Sequence, residues 1–146
     1  MKRYKNQQQH NCGKILEDEL FENLKILPVK KIYTELELTE LYGWGASSVD
    51  FLVEFDNITI FIQTKFLKSR RKENSYIRKF IDSIEYIKNK HEDCKKPIGL
   101  WVCRLHPFND NEVLLNSKNS HVISCFESIS DLVLKTIEYI DQTIII

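Results

Sequence analysis

Residues 47–66, SSVDFLVEFDNITIFIQTKF, constrain what this chain can fold into more than any other stretch. Val49, Phe51, Val53 and Phe55 alternate with Asp50, Leu52 and Glu54, the period-two pattern of a strand. Asp56-Asn57 supplies a tight turn, because both residues tolerate the backbone conformations a hairpin needs. Residues 58–66 then run back, rich in β-branched and aromatic side chains. The hairpin sets Asp50 on its first strand and Gln63 and Lys65 on its second. The latter two are two residues apart and so share one face. Burying a Gln and a Lys among apolar residues costs free energy unless they are paired, which makes the three a candidate site.

The flanking sequence predicts the rest of an α/β architecture. Residues 1–12 are expected to be a flexible polar arm and residues 13–146 a single domain, long enough for a real core. In 13–27, Leu16, Leu20, Leu24 and Leu27 form one helical stripe, and Pro28 stops it. Glu17 falls on the edge of that stripe, where it is either a snorkelling edge residue or part of a site. Residues 29–38 read as a strand and 39–48 as a loop. Trp44 lies there between Gly43 and Gly45, read as a core anchor, with an exposed surface for stacking a base as the alternative. Residues 76–89 read as a helix capped by Ser75, with Ile77, Phe80, Ile81, Ile84 and Ile87 at helical spacing. IGLWVCRL within 97–105 reads as a strand buried on both faces. A polar loop over 106–119, a short strand over 121–126 and a third helix over 128–143 complete the order. The expected assembly is a mixed sheet flanked by helices.

Charge limits the function classes. Lysine and arginine total 21 and so do aspartate and glutamate, so the formal net charge of zero argues against binding nucleic acid by bulk charge alone. The charges are nevertheless segregated. Acids dominate 17–56, whereas Lys65, Lys68, Arg70, Arg71, Lys72, Arg78 and Lys79 are opposed only by Glu73. A basic rim beside an acidic centre suits an anionic substrate that meets a bound cation, although charge runs are more often solvated faces. The basic, polar start has no apolar core behind it, and no run reaches the length of a membrane span. The expectation is a soluble intracellular protein with four reduced cysteines, Cys12, Cys94, Cys103 and Cys125.

Chemically, Asp50 offers a carboxylate and Gln63 an amide oxygen to a divalent cation such as Mg²⁺ or Mn²⁺. Such a cation neutralises charge on a phosphate and acidifies a bound water. Lys65 could orient that water or take its proton, and Glu17 could order the cation's water shell. His91-x-x-Cys94 and Cys103-x-x-His106 have the local spacing of a zinc site, but a strand between them would carry the pairs to opposite ends.

An amphipathic helix with an inward Glu17, then Asp50-x(12)-Gln63-x-Lys65 across a hairpin, then a helix and a strand, resembles the PD-(D/E)XK nuclease superfamily. Gln in place of the acid resembles the Mrr-type restriction endonucleases. The resemblance covers residues 13–105. It implies a restriction-endonuclease-like αβββαβ core, a mixed central sheet flanked by helices, with an extra C-terminal strand and helix here. It also implies metal-dependent hydrolysis of DNA phosphodiester bonds, restriction-like or junction-resolving, with Glu17, Asp50, Gln63 and Lys65 catalytic and Asp50 and Gln63 holding the metal. Val49 stands where the motif has Pro, and Gln63 leaves the metal site one negative charge short. Glu54 could supply that charge only from about 13 Å along the strand, too far to share one ion. Lys68, Arg70, Arg71, Lys72 and Arg78 are the candidate phosphate contacts. Many enzymes of this type cut both strands as homodimers, and the third helix, outside the resembling core, is the candidate interface. The alternatives are a nuclease fold that binds nucleic acid without cleaving it and a non-catalytic interaction module. The nuclease reading requires that Asp50 not lie across the sheet from Gln63 and Lys65.

Overall fold

The computed structural model describes residues 2–145, with side chains from Cys12 onward. Where an arm was expected over 1–12, the backbone from Lys2 onward already belongs to the first helix. The chain forms a mixed five-stranded sheet in the order β1-β2-β3-β4-β5, flanked by helices.

Helix α1 (Lys2–Leu24) buries Leu16, Leu20 and Leu24 completely, as its stripe predicts. Strand β1 (Lys31–Thr34) is less than half the length expected, because the chain turns into helix α2 (Glu35–Tyr42). The alternation over 29–38 conceals a capping box. Thr34 Oγ1 accepts from Glu37 N at 3.3 Å, and Glu37 Oε1 accepts from Thr34 N at 3.2 Å. Those bonds satisfy the orphan amides of a helix start, so the T-x-x-E spacing overrides the strand pattern.

The expected loop over 39–48 is mostly the end of α2 and a 3-10 turn, Trp44–Ala46. Gly43, at φ +94°, makes the reversal that only glycine adopts without strain. Ala46 is the buried residue of the turn, and a side chain on Gly45 would come within 2.9 Å of the Tyr86 ring. Trp44 is 84% exposed, so it is not the core anchor.

Strands β2 (Phe51–Glu54) and β3 (Thr59–Lys65) pair antiparallel, with Phe51 opposite Ile62. Helix α3 (Glu73–Lys88) carries the chain to β4 (Pro97–Cys103), parallel to β3. The five predicted apolar positions of α3 are all buried. The helix begins two residues before the expected cap at Ser75. Its start is fixed by Glu73, 2% exposed, whose Oε1 accepts from Phe108 N at 2.9 Å and Asn111 Nδ2 at 2.7 Å. Asn111 belongs to α4 (Asn109–Ser117), which occupies most of the expected polar loop over 106–119. Strand β5 (Ser120–Ser124) pairs parallel with β4, and helix α5 (Ile129–Ile145) closes the chain.

Two cores result. Phe51, Ile60, Ile62, Leu100 and Val102 pack under α1 and α5. Leu52, Phe61, Trp101 and Cys103 pack under α3, with Phe80 against Trp101. Strand β4 is buried on both faces, as its unbroken apolar run predicts. The stripe of α5, Leu132, Val133, Ile137 and Ile140, packs in the first core.

Candidate active site

The site begins where the β2–β3 ladder ends. Asp50 N donates to Ile62 O at 2.8 Å, although the ladder sets Phe51, not Asp50, opposite Ile62. Two residues facing one is the geometry of a β-bulge, which re-aims the extra side chain. The Asp50 carboxylate turns toward β3, where Oδ2 accepts from Thr64 N and Thr64 Oγ1, each at 2.8 Å. A strand amide points along the sheet plane, so the carboxylate stands between the strands, where the next β2 carbonyl would otherwise bond. Asp50 is 6% exposed, and these bonds are what make its burial tolerable.

Two more acids converge on it. Glu17 comes from the exposed edge of the α1 stripe, and Glu35 is the first residue of α2. Burial, then the charge of Asp50 and a hydrogen bond to it, push the Glu17 carboxyl from its ordinary 4.5 up to about 7. Burial and Asp50 also raise Glu35, opposed by the charge of Lys65. The three acids line one cleft of about 760 Å³ between α1 and α2, walled by Phe21, Leu36 and Trp44. Among the described residues, no group of three or more His, Cys, Asp or Glu side chains is set to hold a metal ion.

This cluster predicts a pH dependence. The folded pKa of Glu17 lies above its unfolded value, so the stability it contributes by keeping its proton is complete below about 4.5. That contribution is lost as pH rises through about 7. Because Glu17 is only half-buried, solvent screening reduces the loss to about 1 kcal/mol. Urea midpoints are expected to fall between pH 5 and pH 8 in wild type and to flatten in Glu17→Gln. An unchanged slope in the variant would remove Glu17 from the cluster.

The expected partners of Asp50 are placed differently from the prediction. Gln63 and Lys65 share the parity of Phe61 and leave β3 toward α3, whereas Thr64 shares that of Ile62. Neither Gln63 nor Lys65 lines the acid cleft. Gln63 is 6% exposed and its Oε1 has no hydrogen-bond partner. Lys65 Nζ lies 4.3 Å from the centre of the Tyr76 ring, and its charge acts on Glu35. The Asp50 carboxylate is thus in the sheet plane, hydrogen-bonded to Thr64 and facing the same cleft as Glu17 and Glu35, with the charge of Lys65 acting on Glu35. Glu35 was legible only with the capping box, which places it at a helix start beside the end of β1.

The basic connection leaves this same end of the sheet. Lys68, Arg70, Arg71, Lys72 and Arg78 are all exposed. Arg70 donates to His106 O at 3.1 Å and stacks 4.3 Å over Phe108. Arg78 Nε donates to Asn74 Oδ1 at 2.9 Å. Lys68, Arg71 and Lys72 line a shallow groove with Tyr76.

Other candidates lie elsewhere. Glu54 bonds His91 Nε2, whose Nδ1 meets the Tyr42 hydroxyl, so it adds no charge to the Asp50 site. His106 bonds Ser124 Oγ and Glu112, beyond the opposite end of β4 from His91 and Cys94. The Cys103 thiol is pushed up to about 12 by burial, and all four cysteines are free. Among the described residues no helix is long and apolar enough to cross a membrane. Comparison with known proteins brings no match: no family model, no curated protein and no solved structure is significantly similar to this chain.

Proposed function

We propose that this chain is a restriction-endonuclease-like, metal-dependent nuclease that hydrolyses DNA phosphodiester bonds. The observation that carries the reading is the convergence of Glu17 and Glu35 on a bulged, buried Asp50 beside Lys65. Like charges gathered this closely raise one another's proton affinity, and a divalent cation relieves the same repulsion that protons relieve here. Asp50, Glu17 and Glu35, which line one cleft, are the groups that would hold such an ion, whereas Gln63 leaves β3 toward α3 and does not line it. When bound, Mg²⁺ or Mn²⁺ supplies charge neutralisation at the phosphate and an acidified water. Glu35 also answers the charge deficit left by Gln63. Lys65 is the chain's own candidate to orient the attacking water or accept its proton, and Lys68, Arg71 and Lys72 are free to hold the phosphate chain. The element order α1, β1, β2, β3, α3, β4 supports the same reading, with α2 inserted.

Nicking of supercoiled plasmid in Mg²⁺ or Mn²⁺ tests it. Lys65→Ala is expected to lower the rate about a hundredfold or more, the scale of a lost general base. Absence of nicking by wild type on plasmid, single-stranded and junction DNA would overturn the proposal. A second reading, a nuclease fold that binds nucleic acid without cutting it, is favoured by the exclusion of Gln63 and Lys65 from the acid cleft. It predicts binding that weakens steeply with salt and no cleavage.

A further inference from the structure

The parallel strands β3, β4 and β5 end side by side, with Lys65 opposite Cys103 and Cys103 opposite Ser124. Neighbouring strands lie about 4.8 Å apart, so the loops that leave them share one surface. Basic and aromatic side chains alternate on it. Arg70, after β3, stacks 4.3 Å over Phe108, after β4, and donates to His106 O at 3.1 Å. Arg104, after β4, lies 4.3 Å over Phe126, after β5, and 5.4 Å from the Phe66 ring. His106 Nδ1 and Ser124 Oγ share a hydrogen bond of 2.8 Å, and Lys135 Nζ donates to Ser124 O at 2.9 Å, so the loops and α5 are tied together. Phe108 is 52% and Phe126 60% exposed, each beneath a guanidinium, and Phe108 N is bonded to the buried Glu73. Two phenyl rings left in water forgo the hydrophobic free energy that folding could have gained from them.

We infer that this end of the sheet binds a single-stranded nucleic acid, its phosphates on the arginines and lysines and its bases against the exposed sides of Phe108 and Phe126. The charge balance suits a polyanion. Glu73 is buried and accepts from Phe108 N and Asn111 Nδ2, and Glu112 bonds His106 Nε2 at 3.0 Å. Asp110 and Glu127 stay exposed, against Lys68, Arg70, Arg71, Lys72, Arg104 and Lys135, none of which is in an ion pair among the described residues. A guanidinium stacked on a ring still presents in-plane N–H groups to a phosphate. Alternating cations and rings match a chain that alternates phosphates and bases, whereas a duplex covers both faces of each base. An acidic peptide would answer the charges and leave the rings in water. The inference goes beyond the nuclease reading, because it uses neither the acid cleft nor a divalent cation.

The test uses the full chain in EDTA with a fluorescein-labelled oligothymidylate, its duplex with oligoadenylate, and a labelled polyglutamate. The single strand is expected to bind more tightly than the other two, with an affinity that falls steeply with salt. Phe108→Ala and Phe126→Ala are each expected to weaken single-strand binding about tenfold, the scale of one lost base stack, with the salt slope unchanged. Phe126→Tyr is expected to retain most of the affinity. Arg104→Gln is expected to lower the salt slope by about 0.7, the share of one phosphate contact on a single strand. Wild-type affinity in either Phe→Ala variant would overturn the inference. So would duplex or polyglutamate binding as tight as that of the oligothymidylate, which would mean attraction by charge alone. The two proposals fail separately. Plasmid nicking with single-strand binding indifferent to Phe108 and Phe126 sinks this inference alone, and ring-dependent binding in EDTA without nicking in Mg²⁺ sinks only the nuclease.

Discussion

Asp50→Asn is expected to lower the proposed Mg²⁺-dependent nicking about a thousandfold or more, roughly 4 kcal/mol in the activation barrier. The substitution keeps the shape of the side chain, and the amide oxygen can still accept from Thr64 N, so the bulge at the end of β2 is retained. What it removes is the charge on which Glu17 and Glu35 converge. A cation held by Asp50, Glu17 and Glu35 would lose its most buried anionic ligand, and an amide oxygen replaces it poorly for a hard ion. A second readout accompanies the first. Glu17 is raised by burial first and by Asp50 second, so in Asp50→Asn its pKa is expected to fall from about 7 toward 4.5 while remaining above it. A carbon-13 NMR titration of the Glu17 carboxyl measures that fall. Wild-type nicking by Asp50→Asn, in a protein with an unaltered circular dichroism spectrum, would refute the assignment of the acid cluster as the catalytic centre.

The largest expected loss of stability comes from Trp101→Ala, about 3–5 kcal/mol. Trp101 sits mid-strand in β4, 1% exposed, with its ring centroid 5.7 Å from that of Phe80. It belongs to the core under α3, between the sheet and the most regular helical stripe in the chain. Truncation to Ala leaves a cavity that neither β4, hydrogen-bonded on both sides, nor α3 can collapse to fill. A loss of this size is a large share of the roughly 5–15 kcal/mol that holds such a domain together. Urea denaturation followed by circular dichroism measures it. Trp101→Phe keeps an aromatic ring against Phe80 and should recover most of the loss. A change below about 1 kcal/mol for Trp101→Ala would mean that the second core is not packed around this side chain.

The elements that were legible in advance are those whose pattern is local and repeated. The leucines of α1 and the isoleucines of α3 recur at helical spacing, and Phe51 to Phe55 alternates with period two, so each could be read without knowing its neighbours. The unbroken apolar run of β4 announced a strand covered on both sides. Three features were not legible, each for a different reason. α2 was hidden because the alternation of Ile32, Leu36 and Leu38 imitates a strand while Thr34 and Glu37 close a capping box. α4 has no side-chain cap of its own, since Phe108 N is satisfied by Glu73 from another helix. Trp44 lies between glycines that grant freedom without direction, and only the packing of Gly45 on Tyr86 sends the indole outward.

Composition and periodicity alone determined an α/β chain with a central hairpin, a basic stretch leaving it, and Asp50, Gln63 and Lys65 as its unusual polar residues. Tertiary structure alone decided which polar groups meet. Parity along a strand predicts the face a side chain takes only while the ladder is regular, and a single offset at Ile62 was enough to turn Asp50 away from that rule. Its partners, Glu17 and Glu35, come from helices 33 and 15 residues upstream in the chain. No local pattern records an encounter between segments that far apart, because it is set by how the helices pack on the sheet.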